Sequence, residues 1–188
     1  HDQLLETAAR FGEWEASAAL VSDRGAASSV APPVQPDARL AVVPRDGAAQ
    51  SELRLGHLAA KRSTPDYPSL LVMNAVLGGQ FASRINLKLR EEKAFTYGAR
   101  TGFDWHRGLS PFVLQASVHT AATAESIADS IAEIEGIRGS RPPTSDELAL
   151  AKASLTRGYP RNFETTQQVA RSVAQLALHD LPDTYFAE

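Results

Sequence analysis

Residues 77–100 read LGGQFASRINLKLREEKAFTYGAR, and the parsing of this passage decides the fold. Gly78 and Gly79 close the apolar run before them, since glycine accepts the backbone geometry of a helix end without a side-chain penalty. Beyond the pair, Phe81, Ile85 and Leu89 recur at helical spacing and predict a second, amphipathic helix with all three on one face. From Phe95 the pattern alternates, so the helix gives way to a strand through the turn EEKAFT. That turn brings Arg90, at the end of the helix, near Tyr97, at the start of the strand.

Upstream, TPDYPSLLVMNAVLGG (64–79) predicts a buried helix, apolar nearly all round, with Thr64 as cap and Pro65 in the first turn, where its missing N–H costs nothing. ARLAVVPR (38–45) and AAQSELRLGHLA (48–59) predict two strands joined as a hairpin through Asp46-Gly47. Earlier still, DQLLETAARFGEW (2–14) has the spacing of a short helix ending near Gly12, and residues 15–37, rich in Ala, Ser, Gly and Pro, predict an irregular linker. The chain lacks an initiator Met and enters directly into helical pattern, so its true N-terminus is expected to lie upstream, and the compartment is left open. The expected division is 1–37, a helix tail plus linker, and 38–188, one domain.

Downstream, FTYGARTGFDWH (95–106) and PFVLQASVH (111–119) predict strands around RGLS. Three helices follow. Their predicted buried stripes are Ile127, Ile131 and Ile134, then Leu148, Ala151 and Leu155 behind a Thr144–Glu147 capping box, then Val169, Val173 and Leu176. The order β-β-α-α-β-β-α-α-α predicts an α+β, two-layer domain with one antiparallel sheet covered by helices on a single face. Leu53, Leu55, Phe103, Trp105, Phe112, Leu114, Ala116 and Val118 should face the helices. Glu52, Arg54, Arg100, Asp104, Gln115, Ser117 and His119 should lie opposite, on a face that is either simply solvated or lines a chamber or a partner.

Composition narrows the function. With 188 residues, 43% hydrophobic and 22% charged, the chain has the make-up of one globular domain. A net charge of −3 with no basic block speaks against nucleic acid. The absence of cysteine removes disulfides, thiolate metal sites and cysteine nucleophiles together. No apolar run approaches the ~18 residues of a membrane span, so no membrane insertion is expected. None of the five histidines has a partner at i+4, so no zinc pair is visible. LGGQFASR lacks the GK[ST] ending of a phosphate loop, and no GxSxG nucleophile elbow occurs.

Arg90 and Tyr97 remain. A guanidinium fork and a phenol can hold a peptide carbonyl or a carboxylate and donate to a developing oxyanion, though neither activates water by itself. Strict alternation, however, also allows Tyr97 as a core residue beside Phe95, Phe103 and Trp105. A bulge at Gly98 would re-aim it.

AAQSELRLGH, LVMNAVLGGQFASRINLKLREEKAFTYGARTGF and TSDELALAKASLTRGYPRNFETTQQVA together resemble the C-terminal, non-zinc-binding half of the insulinase/pitrilysin family of zinc metallopeptidases, related to mitochondrial processing peptidase and bacterial two-subunit proteases. The resemblance covers roughly Phe11 to the end. It implies the LuxS/processing-peptidase-like metallopeptidase fold, with zinc held by an inverted HxxEH motif in an N-terminal half or a partner subunit. This chain has no HxxEH, so no cofactor is expected in it, and alone it should neither hold zinc tightly nor cleave peptides. The family's RxxxxxxY pair falls on Arg90 and Tyr97, which the resemblance casts as the residues that position substrate and stabilise the oxyanion. Gly78, Gly79 and Phe81 fall on a segment implied to handle substrate, an extended peptide or unfolded protein. The alternative is a catalytically inactive scaffold or assembly subunit of the same fold.

Overall fold

In a computed structural model, the structure describes Glu6, Ala9, Arg10 and residues 39–186. The chain divides into two units, His1–Gln35 and Pro36–Glu188, and the second carries the elements below. Glu6, Ala9 and Arg10 are helical; the rest of the N-terminal helix and the linker lie outside the described residues.

Three antiparallel strands, β1 (Gln50–Leu58), β2 (Thr96–Phe103) and β3 (Pro111–His119), form a sheet in the order β1-β3-β2. Leu53 pairs with Ala116 and Leu55 with Leu114 on one side of β3, Thr101 with Leu114 and Ala99 with Ala116 on the other. The inward row follows the period-two reading: Leu53, Phe112, Leu114, Ala116 and Val118 are buried, while Glu52, Arg54 and Arg100 are exposed. Trp105 lies beyond the end of β2, stacked on Phe103 at 4.6 Å between ring centroids.

The predicted first strand does not form. The turn is present, with Gly47 at φ 72° and the Ala48 N–H donating to the Arg45 carbonyl at 3.3 Å. Residues 39–45, however, join no strand among the described residues, and Leu40, Val42 and Val43 are 82%, 75% and 90% exposed. Alternating β-formers become a strand only where a neighbouring strand and an apolar surface reward them, and this arm meets neither.

Among the described residues of the second unit, five helices accompany the sheet. The cap of α1 (Tyr67–Leu77) falls two residues later than expected: Asp66 holds that position, and Pro68 falls in the first turn. Thr64 instead accepts from the Asp66 N–H. Only the last turn of α1, Ala75 to Leu77, is fully buried. α2 starts at Arg84, runs as an α-helix to Asn86 and continues as a wider π-helix over Leu87–Glu92. Ile85 and Leu89 are completely buried, but Phe81 precedes the helix and is 64% exposed, so it does not share their face.

α3 (Thr123–Arg138) lays a face of Ser126, Ser130, Glu133 and Gly136 against the domain, with Ile127, Ile134 and Ile137 packed beside it on the core. Ile131, expected in the stripe, is exposed, because at 100° per residue it is turned off that line by roughly a third of a circle. α4 (Ser145–Gly158) has the expected capping box: the Glu147 N–H donates to Thr144 Oγ1, and the Thr144 N–H donates to Glu147 Oε2. Its Ala151 is buried, while Leu155 is partly exposed. α5 (Thr166–His179) has a second capping box, Thr165–Gln168, but Val169 and Val173 stay exposed because no described element covers that stripe.

Ile85, Leu89, Leu114 and Val118 form the centre of the main core, and Ala75, Val76 and Ala151 form a smaller contact between α1 and α4. Among the described residues no helix is long and apolar enough to cross a membrane.

Candidate functional site

The passage from α2 to β2 concentrates backbone irregularity. Arg90 sits within the π-wound Leu87–Glu92 segment. Lys93 and Ala94 then close the helix, with the Ala94 N–H donating to the Arg90 carbonyl at 3.1 Å and the Phe95 N–H to the Leu89 carbonyl at 2.9 Å. Ala94 adopts φ 52°, a left-handed cap position that normally belongs to glycine. At the start of β2 the register to β3 shifts between Thr96 and Ala99, so Tyr97 and Gly98 together oppose Ser117. Such a bulge turns one side chain out of its alternating place.

The consequence for Tyr97 is decisive. Thr96 is buried in its stead, and Tyr97 is 91% exposed and makes no hydrogen bond to any described residue. The Thr96 hydroxyl accepts from the Gly98 N–H at 3.1 Å and lies 2.7 Å from the Ser117 carbonyl, which pins the bulge. Of the readings open for Tyr97, the structure takes the re-aimed one.

Arg90 is half-buried, and Glu91 Oε1, 3.5 Å from its Nε, is its one described ion partner. Its guanidinium lies over the Phe81 ring at 4.4 Å, so two of the predicted site residues meet in a cation–π contact. Arg90 and Tyr97 share no hydrogen bond; Tyr97 is turned into solvent, while the Arg90 side chain is 35% exposed.

Gly78 and Gly79 lie at the edge of β2 that faces away from β3. The Thr101 N–H donates to the Gly78 carbonyl at 2.9 Å, and a Cβ on Gly78 would stand 2.8 Å from the Thr101 nitrogen. The Gly79 N–H donates to the Asn74 carbonyl at 2.7 Å, and the Thr101 hydroxyl donates to Asn74 Oδ1. Gly78 is buried in this close approach, whereas Gly79 and Phe81 are exposed.

Asn86 is a residue that sequence reading missed. It is 4% exposed, its Nδ2 donates to the Phe81 carbonyl at 2.7 Å, and its Oδ1 accepts from the Ala99 N–H at 3.0 Å. One amide therefore ties the Phe81 segment to β2 just past the bulge. The available signal was an asparagine beside Ile85 on an otherwise apolar helix face.

The outer face of the sheet is polar and organised. A hollow of about 380 Å³ opens between Glu52, Arg54, Gly98, Arg100, Gln115 and Ser117. The Ser117 hydroxyl donates to Glu52, Arg54 pairs with Glu52 at 3.3 Å, and Arg100 donates to Gln115 Oε1 at 3.1 Å. The Ser117 hydrogen bond, followed by Arg54, holds the Glu52 carboxyl below its usual range.

At the start of α2, Arg84 grips Glu147 with a bidentate pair at 2.6 Å and donates to the Arg141 and Pro142 carbonyls. This pair, chiefly through the Arg84 hydrogen bonds, takes the Glu147 carboxyl down to about 2. No three His, Cys, Asp or Glu side chains gather to hold a metal ion among the described residues, so they do not fit a zinc site.

The family model described as the peptidase M16 inactive domain matches residues 1–155. No curated protein matches the chain. Similar solved structures include the peptidase M16 inactive domain from Pseudomonas fluorescens, at 23% identity and TM-score 0.67, covering 74% of this chain and 33% of that one. Another is the inactive peptidase domain of a zinc-protease candidate from Bordetella parapertussis, at 14% identity and TM-score 0.58, covering 72% and 74%. A chain of complex III2 from Candida albicans is similar at 15% identity and TM-score 0.59, covering 72% and 34%. The chain spans about a third of the length of the first structures it matches, and these likenesses establish the α+β fold.

Proposed function

Because the chain belongs to the peptidase M16 inactive-domain family, we propose that it serves as the substrate-positioning, non-metal half of a zinc metalloendopeptidase. The zinc belongs to an N-terminal half or a partner subunit, since the described residues offer it no ligand set. The observation that carries the reading is the exposure of Tyr97: three irregularities within one short passage, the π-wound turn, left-handed Ala94 and the bulge, hold an aromatic 91% in solvent with its hydroxyl unpartnered among the described residues. Such irregularity costs of order 1–3 kcal/mol at a strained residue and is characteristically kept where function requires it.

In this role Arg90 offers its forked donors to the backbone carbonyl of an extended peptide, with Phe81 stacked beneath the guanidinium to limit its rotamers. Tyr97 donates its phenolic proton to the oxygen on which charge develops. Phe81, exposed beside Arg90, and the exposed Gly79 give the peptide an apolar and an open backbone contact. Gly78 shapes this segment by allowing α1 to close on β2.

The test is to join the chain to a zinc-bearing half and measure peptide cleavage. Arg90→Ala and Tyr97→Phe should each lower turnover by ~10²-fold with the fold intact. Unchanged turnover in both variants would refute the positioning role and leave the domain as a scaffold for assembly.

A further inference from the structure

On the helical side of the domain, away from the sheet's polar face, a second cavity of about 710 Å³ lies between α1, α4, α5 and the turn that follows α5. Its walls are mostly apolar, with Tyr67, Trp105, Tyr159, Tyr185 and Phe186 supplying aromatic surface. Two cations, Arg62 and Arg171, line it, and no aspartate or glutamate does.

Arg62 is the unusual member. The residue is 8% exposed, yet no carboxylate of a described residue pairs with it. Its guanidinium sits 3.4 Å above the Tyr67 ring and donates one hydrogen bond, 2.7 Å long, to the Tyr185 hydroxyl. A guanidinium carries five N–H donors, and burying its charge costs several kcal/mol unless an anion compensates. The Tyr185 hydroxyl, the Tyr67 face and the more distant Tyr185 ring, 5.4 Å away, offset only part of that cost. Nearby, His179 is buried with Nδ1 unpartnered among the described residues. Desolvation first, and then Arg62 and Arg107, push its pKa down, against a smaller opposing pull from Asp180.

We propose that this cavity is a binding site for a small aromatic carboxylate, with the carboxylate on Arg62 and the ring among Tyr67, Trp105 and Tyr159. The volume fits such a ligand, since small-molecule sites run from roughly 300 to 1,000 Å³ and combine apolar walls with a few convergent polar groups. Arg171, also in the lining, adds long-range attraction. The site is independent of Arg90 and Tyr97 and stands whether or not the domain positions a peptide.

Trp105 reports on it directly. In a Trp14→Phe chain it is the remaining tryptophan, so its emission can be followed during titration with 3-phenylpropionate and with the neutral 3-phenylpropanamide. The acid should give a saturable change and bind about tenfold tighter than the amide, and Arg62→Gln should abolish that preference. Should Arg62→Gln fail to fold by circular dichroism, Arg171→Glu decides, with an expected loss of about tenfold in acid affinity. Equal affinity for acid and amide, or no saturable change by ~10 mM acid, would overturn the proposal.

Discussion

α3 and α5 are opposites. α5 carries the cleaner amphipathic stripe, yet Val169 and Val173 remain 40% and 56% exposed. α3 buries a face of two serines, a glutamate and a glycine, none of them hydrophobic, and packs its isoleucines only along the flank. A stripe says which side of a helix would be buried, whereas what actually approaches is set by shape: small residues let α3 come close to the sheet. The same contrast holds at the helix starts. The capping glutamate of α4 is also gripped by Arg84 from across the domain, while among the described residues the capping Gln168 side chain of α5 bonds to Thr165 alone.

The contrast can be broken most severely at Glu133, whose side chain is 8% exposed and paired with Arg141 at 3.0 Å. Arg141→Met leaves that carboxylate buried without its cation and should lower unfolding free energy by about 3 kcal/mol in urea denaturation. A smaller loss is expected on acidification. The folded Glu147 pKa is about 2 against 4.5 for the ordinary group, so its contribution is full above pH 4.5 and disappears as pH falls towards 2. With partial solvent screening the loss is on the order of 2 kcal/mol, and Arg84→Gln should remove most of this acid dependence. Thr165→Ala deletes a purely local cap and should cost about 1 kcal/mol. Least affected is Val173→Ser on the bare stripe of α5, expected within about 0.5 kcal/mol of the parent; a loss of several kcal/mol would show that the stripe is covered after all.

Period-two alternation was enough to read the inner face of the sheet, because Leu53, Phe112, Leu114, Ala116 and Val118 report burial directly. Thr144 and Glu147 were equally legible, their bonds being made between near neighbours. The arm at 39–45 has the same local signal as β1 but meets no partner, and pairing is a tertiary fact that propensity cannot contain. At the candidate site, Gly98 marked where a bulge could fall and so allowed Tyr97 to be re-aimed. The π winding of α2 left no such mark, and neither did the amide of Asn86, whose partners Phe81 and Ala99 are set by packing. Phe81 was misplaced for this reason: helical spacing extended backwards past the point where Ser83 begins the helix.

Ala94 offers an experimental separation that the chemistry alone does not. Its left-handed backbone suits glycine better than alanine, by on the order of 1 kcal/mol. Position 94 lies between Arg90 and Tyr97 in the chain and is neither of them. An Ala94→Gly chain should therefore melt later, and its turnover beside a zinc-bearing half reports whether the strained cap itself matters to the alignment of its neighbours. Unchanged turnover with raised stability would make the left-handed turn a dispensable cost of folding. Reduced turnover would make it part of the instrument that aims the arginine and the tyrosine.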